Sequence, residues 1–140
     1  MKLLRILALV AFWSYVVALF VLGAAGVLFP EPELDALYQA QLGGLDETRE
    51  VLLHQYRFMK GIVIGFGIYC WTFRREIFQP GVHHRIFLAT LFLGAGARLL
   101  SWGLDARPHE RLLSFTVSEL IFGLLILAYV QASRRNATQA

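Results

Sequence analysis

Residues 91–104 read LFLGAGARLLSWGL and residues 112–130 read LLSFTVSELIFGLLILAYV, and these two apolar stretches decide the fold. Both have the apolar character of membrane-spanning helices, yet the first carries Arg98 and the second carries Glu119. A charged side chain inside a bilayer is costly, so it faces a partner or a watery cavity. We therefore expect two neighbouring membrane helices in which Arg98 and Glu119 pair.

The composition agrees with a membrane protein. Of the 140 residues, 57% are hydrophobic and 16% are charged, which is too apolar for an ordinary soluble domain of this size. The pI is near 9.4, but the basic residues stand at the ends of apolar runs and form no polar patch, so we expect no nucleic-acid partner. The single cysteine, Cys70, excludes a disulfide framework.

Four apolar runs predict an all-α, polytopic bundle of four transmembrane helices in a single membrane domain of residues 1–140. The predicted helices cover about 6–29, 46–73, 85–104 and 110–133, and a polar tail follows at 134–140. The first run is uncharged and about 36 Å long as a helix. Because this is longer than the apolar core of a signal peptide, we expect an uncleaved helix.

The longest polar stretch lies between the first two predicted spans. Within it, Pro32 suits a helix start, Glu33 and Asp35 suit the first turn, and Gly43-Gly44 suits the end. Apolar residues recur at helical spacing at Leu34, Leu37, Tyr38 and Leu42. The pattern predicts a short amphipathic helix over about 32–42 on the membrane surface. A plain connecting loop is the alternative.

The orientation follows from the lysines and arginines of the connections. One side of the membrane has seven of them: Lys2, Arg5, Arg74, Arg75, Arg85, Arg134 and Arg135. The other side has three, Arg49, Arg107 and Arg111, together with most of the acidic residues. We therefore expect both termini in the cytoplasm and the acidic loop outside.

Four charged residues are predicted at one depth. Counted at about 1.5 Å per residue from the cytoplasmic end of each helix, Arg57, Lys60, Arg98 and Glu119 lie about 20 to 25 Å along. That depth is the outer third of a hydrocarbon core of about 30 Å. Three helices thus contribute to one polar layer.

Small and polar residues mark one face on each of these helices, and we expect the three faces to point inward. The faces are Arg57, Gly61 and Gly65; Thr90, Gly94, Arg98 and Ser101; and Thr116, Glu119 and Gly123. His54, Tyr56 or Ser101 would then complete the hydrogen bonds of the Arg98–Glu119 pair.

The layer has three cations and one acid, which leaves two hypotheses. In the first, Arg98 and Glu119 lock two helices together while Arg57 and Lys60 reach the headgroups. In the second, an outward-facing cavity receives an anion such as a lipid phosphate or a carboxylate. Its ligand-binding residues would be Arg57, Lys60, Arg98, Glu119, Ser101 and His54. Proton transfer through Glu119 has less to recommend it.

No catalytic or metal-binding motif stands out. No serine or cysteine nucleophile has a base nearby, so we expect no enzyme. His83-His84 and His109-Glu110 are adjacent pairs whose side chains point to different sides, and no further ligand stands at a useful spacing. We expect no metal and no cofactor.

The chain resembles a bacterial family of four-helix membrane proteins called domain of unknown function 4345. The resemblance rests on Phe29-Pro30, on Tyr56-Arg57 followed by Gly61 and Gly65, on GAGARLLSWGLDARP at 94–108, and on Ser118-Glu119-Leu120. It covers residues 6–129 and marks Arg57, Arg98 and Glu119. Lys60 departs from it, because the similar proteins tend to have a small residue before the glycine.

The resemblance implies a fold and a bacterial inner membrane location but supplies no activity. Two functional classes remain open. The first is a non-enzymatic accessory or structural protein that binds other membrane proteins through its glycine faces. The second is a binding or carrier protein for an anionic or amphiphilic small molecule or lipid in the outward-facing cavity.

Overall fold

The computed structural model describes residues 2–38, 46–104 and 110–139, and every regular element within these ranges is a helix. The helices are α1 (Lys2–Leu28), α2 (Pro30–Tyr38), α3 (Asp46–Thr72), α4 (Arg74–Ile77), α5 (Val82–Leu104) and α6 (Glu110–Gln139). The described chain is all-α, as the sequence predicts.

Three helices in the described ranges are long and apolar enough to cross a membrane. They are Lys2–Leu28, Val82–Leu104 and the Leu112–Asn136 part of α6. The sequence predicts a fourth span over α3, whose 27 residues extend about 40 Å. Helix α3 has the length but does not reach the apolarity of the other three, because its amino-terminal half is rich in charged residues.

Several helix boundaries differ from the prediction, among them those of α2 and α6. Helix α2 begins at Pro30 and follows α1 almost without interruption, since the Glu33 amide donates to the Phe29 carbonyl over 3.1 Å. The predicted end of this helix near residue 42 lies outside the described residues. Helix α6 continues to Gln139, where the sequence predicts a polar tail after residue 133. Polar residues beyond an apolar span can extend its helix into water.

The helices form two compact units, which we describe separately. Unit one comprises Met1–Tyr15 and Cys70–Ala140, and unit two comprises Val16–Tyr69.

Aromatic rings build the core of unit one. Phe12 of α1 is 1% exposed and Phe87 of α5 is fully buried. The Phe12 ring centroid lies 5.9 Å from that of Phe87 and 5.3 Å from that of Phe78. Tyr15 packs edge-on against Phe87 and against Phe122 of α6. These contacts tie the start of α1 to α5 and α6, and ring pairs of this kind add to the gain from burial alone.

A buried histidine holds the turn between α4 and α5. The Nδ1 atom of His84 lies 2.8 Å from the carbonyl oxygen of Ile77, the last residue of α4. The ring of the adjacent His83 stacks on Phe73 at a centroid distance of 4.1 Å. The two histidines therefore point to different sides, and the part of the chain that the structure describes contains no cluster of three metal-ligating side chains.

Glycines set the helix spacing in both units. In unit one, a Cβ on Gly123 of α6 would lie 2.7 Å from Leu91 Cδ2 of α5. In unit two, a Cβ on Gly23 of α1 would lie 2.6 Å from Ile64 Cγ1 of α3. Gly67 of α3 packs on Leu19. Close approach of this kind through small residues is typical of helices packed in membranes.

Helix α2 packs on α3 in unit two. Leu34 of α2 forms a buried cluster with Leu53 and Tyr56 of α3. These side chains are 7%, 8% and 7% exposed, respectively. Helix α2 therefore buries Leu34 against apolar side chains of α3.

Candidate functional site

Helices α5 and α6 bring Arg98 and Glu119 together in unit one. The Nη1 atom of Arg98 donates a hydrogen bond to Oε2 of Glu119. The Glu119 side chain is 17% exposed and that of Arg98 is 42% exposed. On α6, Glu119 shares its face with Thr116 and Gly123, which are both buried. The contact bridges the two helices on the side where Gly123 lets them approach.

The inward face of α5 is different from the one that we expected. Thr90, Gly94, Arg98 and Ser101 are all exposed. Apart from His84 near the start of the helix, the buried face is apolar instead and consists of Phe87, Leu88, Leu91 and Ala95. Large apolar side chains fill the aromatic core of unit one, which polar and small residues would leave loosely packed. Arg98 still reaches Glu119 because its side chain is long and flexible.

In unit two, Lys60 of α3 pairs with Glu33 of α2. The Nζ atom of Lys60 lies 2.7 Å from Glu33 Oε1, and both side chains are 6% exposed. The ammonium also lies 5.0 Å from the centroid of the Tyr56 ring, within the range of a cation–π interaction. This buried pair was not predicted, since we expected Lys60 to reach the headgroups or to face an anion.

Gly26 of α1 makes room for this pair. A Cβ at Gly26 would lie 2.5 Å from Lys60 Cγ and 2.6 Å from Lys60 Cδ, and it would also collide with the Glu33 carboxylate. Within the described residues, Oε2 of Glu33 is buried and has no hydrogen-bond partner. The carboxylate is therefore held by one strong charge-assisted contact, and the Lys60 ammonium stabilises its buried negative charge.

The buried face of α3 also differs from the predicted one. Arg57, Gly61 and Gly65 are exposed, whereas Tyr56 and Lys60 are 7% and 5% exposed. The reason is that α2 and α1 both pack on the Tyr56–Lys60 side, where a cluster of apolar contacts and an ion pair are available. A Cβ atom at Gly61 or Gly65 would meet nothing within 4 Å.

Two predicted site residues remain, one on α3 and one on α5. His54 of α3 and Ser101 of α5 are both exposed. The four charged residues of the predicted layer fall into two units, with Arg57 and Lys60 in unit two and Arg98 and Glu119 in unit one. Each unit therefore has its own pairing of a layer cation with a carboxylate.

A further ion pair joins α2 and α3, the same two helices that the Lys60–Glu33 pair joins. Arg49 of α3 contacts Glu31 of α2 over 2.5 Å, with side chains 45% and 44% exposed. The sequence pattern places Glu33 in the first turn of the predicted surface helix and indicates no partner for Glu31 or Glu33. The signal that could have identified Glu33 was the surplus of cations in the predicted layer, since a buried lysine requires a carboxylate from the same side of the membrane.

One family model matches most of the chain. It is described as "Domain of unknown function (DUF4345)" and matches residues 7–130. No curated protein and no solved structure matches the chain.

Proposed function

The chain belongs to this family of unknown function, and we propose that it is an integral membrane protein with a structural or accessory role and no catalytic activity. Its location would be a bacterial inner membrane, and its residues 1–140 would form a single membrane domain. The three helices that can cross a membrane support the membrane assignment.

In this proposal α3 is the fourth span, and α2 is an amphipathic helix at the outer surface. The length of α3 supports its role as a span. The ion pair of Lys60, the cation predicted deepest in α3, supports it too. Lys60 is neutralised by Glu33 over 2.7 Å, which removes much of the penalty for carrying the lysine into the membrane. An even number of spans also agrees with the basic residues at both ends of the chain, which favour cytoplasmic termini.

The main support for the structural role is that both cations buried or half-buried within the predicted layer have carboxylate partners in the chain. Arg98 contacts Glu119, and Lys60 contacts Glu33. A cation that already has a carboxylate partner in the chain needs no ligand to neutralise it, and removal of either partner is costly. The pairs therefore favour a clamp that fixes helix positions.

An accessory role also needs a surface for other membrane proteins. Gly61 and Gly65 are exposed on one face of α3, and a Cβ at either position would meet nothing within 4 Å. Phe58 and Ile62 beside them are 68% and 59% exposed. A helix of a partner protein could approach closely there.

The alternative is a binding or carrier protein for an anionic or amphiphilic molecule in an outward-facing cavity. It rested on a surplus of about two positive charges in the layer. Glu33 supplies a carboxylate that the sequence did not assign to the layer, so this alternative now draws its support chiefly from Arg57, which is exposed.

The two functions differ in what happens when the Arg98–Glu119 pair is removed. We would compare Arg98→Ala, Glu119→Ala and the double variant by thermal unfolding in detergent and by native mass spectrometry. Arg85→Ala is the control, because it removes an exposed cation that lies outside the predicted layer.

A clamp predicts that the double variant is more stable than either single variant, since a lone charge is the costly state. It also predicts that every variant retains the same bound masses as the wild type. A small anionic molecule that is present in the wild type and absent from a folded double variant would instead establish the carrier alternative.

A further inference from the structure

Unit one contains a cavity of about 310 Å³ that three arginines surround. Arg5 lies in the first turns of α1, and Arg74 and Arg75 begin α4. Aromatic rings form the rest of the wall, among them Trp13, Phe78 and Tyr129. The cavity thus combines concentrated positive charge with an apolar surface. None of these residues takes part in the ion pairs described above.

Contacts within the wall fix its shape. Arg74 donates a hydrogen bond from Nη1 to the Trp71 carbonyl oxygen over 2.9 Å, and its guanidinium lies 5.9 Å from the Trp71 ring. The Trp71 ring packs edge-on against Trp13 at 5.2 Å. Phe78 packs against Tyr129 at 5.8 Å. The wall is therefore largely preformed, which lowers the entropy that a ligand must lose on binding.

The cavity has an excess of positive charge. Among the residues that the structure describes, no aspartate or glutamate lines it. The acidic residue of α4, Glu76, is exposed and lies outside the lining. Guanidinium groups match phosphate oxygens in geometry and stay charged at every physiological pH. An anion with an apolar attachment satisfies both parts of the wall.

We propose that this cavity binds the phosphate group of an anionic phospholipid, whose glycerol and first acyl carbons pack on the aromatic rings. The volume lies at the lower end of the range for small-molecule sites, so it accommodates a headgroup but not a whole lipid. The cavity is partly open, so the acyl chains can extend out of it. Basic pockets between membrane helices are a known means of recognising such headgroups.

The test compares two double variants that remove the same charge from the same predicted side of the membrane. Arg5→Gln with Arg75→Gln removes two cavity arginines and spares Arg74, which has a structural contact. Lys2→Gln with Arg135→Gln removes two exposed cations that do not line the cavity. Each protein is reconstituted in nanodiscs with equal amounts of phosphatidylglycerol and phosphatidylcholine. Retained lipid is then measured by native mass spectrometry.

The wild type and the Lys2/Arg135 variant should each retain one phosphatidylglycerol in preference to phosphatidylcholine. The cavity variant should retain at least about tenfold less, because each lost arginine removes charge-assisted hydrogen bonds to the phosphate. Equal loss in both variants would overturn the proposal in favour of non-specific surface charge. Equal retention of the two lipids by the wild type would overturn it too.

A soluble phosphate compound would use the same chemistry, so a second arm separates the two sources. Excess inorganic phosphate is added to the lipid-loaded wild type. A bound lipid stays in place, because its acyl chains and the aromatic wall hold it in addition to the phosphate. Displacement by inorganic phosphate would overturn the lipid assignment and leave a soluble phosphate compound as the ligand.

Discussion

Replacing Lys60 by methionine should destabilise the protein strongly, and the structure explains why. Methionine keeps the length and apolar stem of lysine but removes the ammonium that lies 2.7 Å from Glu33 Oε1. Because the Glu33 side chain is only 6% exposed, water cannot replace the lost partner. The other carboxylate oxygen, Oε2, already has no hydrogen-bond partner within the described residues. Lys60→Met therefore leaves a buried carboxylate with no counter-charge.

The expected magnitude follows from that burial. Removal of one partner of a buried ion pair costs about 3–5 kcal/mol. Glu33→Met should cost a similar amount, because it leaves the ammonium alone. The double variant replaces both charges by apolar side chains of similar length, and it should unfold within about 2 kcal/mol of the wild type. The coupling energy of the cycle should then be at least about 4 kcal/mol.

The assay is thermal unfolding of the four proteins in one detergent, together with the amount of each protein that accumulates in the membrane. The single variants should lose on the order of 10 °C in Tm. The Arg49–Glu31 pair is a matched control, since it joins the same two helices but its side chains are 45% and 44% exposed. Arg49→Met and Glu31→Met should each cost at most about 1 kcal/mol.

Two results would refute this reasoning. If Lys60→Met were as stable as the wild type, the carboxylate of Glu33 would not depend on the ammonium. If the double variant lost as much stability as the two single variants combined, the residues would contribute independently and the pair would not be a clamp.

Two further predictions test the packing and the number of spans. Gly123→Ala should cost about 1 kcal/mol, because its Cβ would lie 2.7 Å from Leu91 Cδ2 and from Phe92 Cε1, and these side-chain ends must shift. Gly94→Ala should cost nothing, because its Cβ meets nothing within 4 Å. Thermal unfolding of both variants checks this, and equal effects would contradict the close approach of α5 and α6. For the spans, Asp35→Cys and Asn136→Cys are labelled in intact cells, in a Cys70→Ala background, with a maleimide that cannot cross membranes. Asn136 is exposed and ends the apolar part of α6. Four spans predict labelling of the first cysteine and not the second, while labelling of both would mean that α3 does not cross.

The helices could be predicted from the sequence because their boundaries depend on local features. Apolar runs long enough to span a bilayer specify α1, α5 and α6. The Arg98–Glu119 contact was also expected, since each residue is the only charged one in its apolar stretch. Local composition is enough for inferences of this kind.

The inward faces could not be predicted so well, because they depend on which helices pack together. Gly61 and Gly65 leave room for a neighbouring helix on α3, but the sequence does not show whether a helix packs there. In the structure α1 packs against Gly67 instead. The role of Glu33 was missed for the same reason. The sequence does not show which helix α2 contacts, and the packing of α2 on α3 brings Glu33 to Lys60.

The most direct test of the clamp is to exchange the charges of Arg98 and Glu119. Arg98→Glu and Glu119→Arg should each destabilise the protein, because each brings two like charges together within the apolar helices. The double exchange restores an opposite pair across α5 and α6. We predict that it recovers most of the wild-type Tm and membrane accumulation. A double exchange no more stable than either single reversal would contradict the clamp.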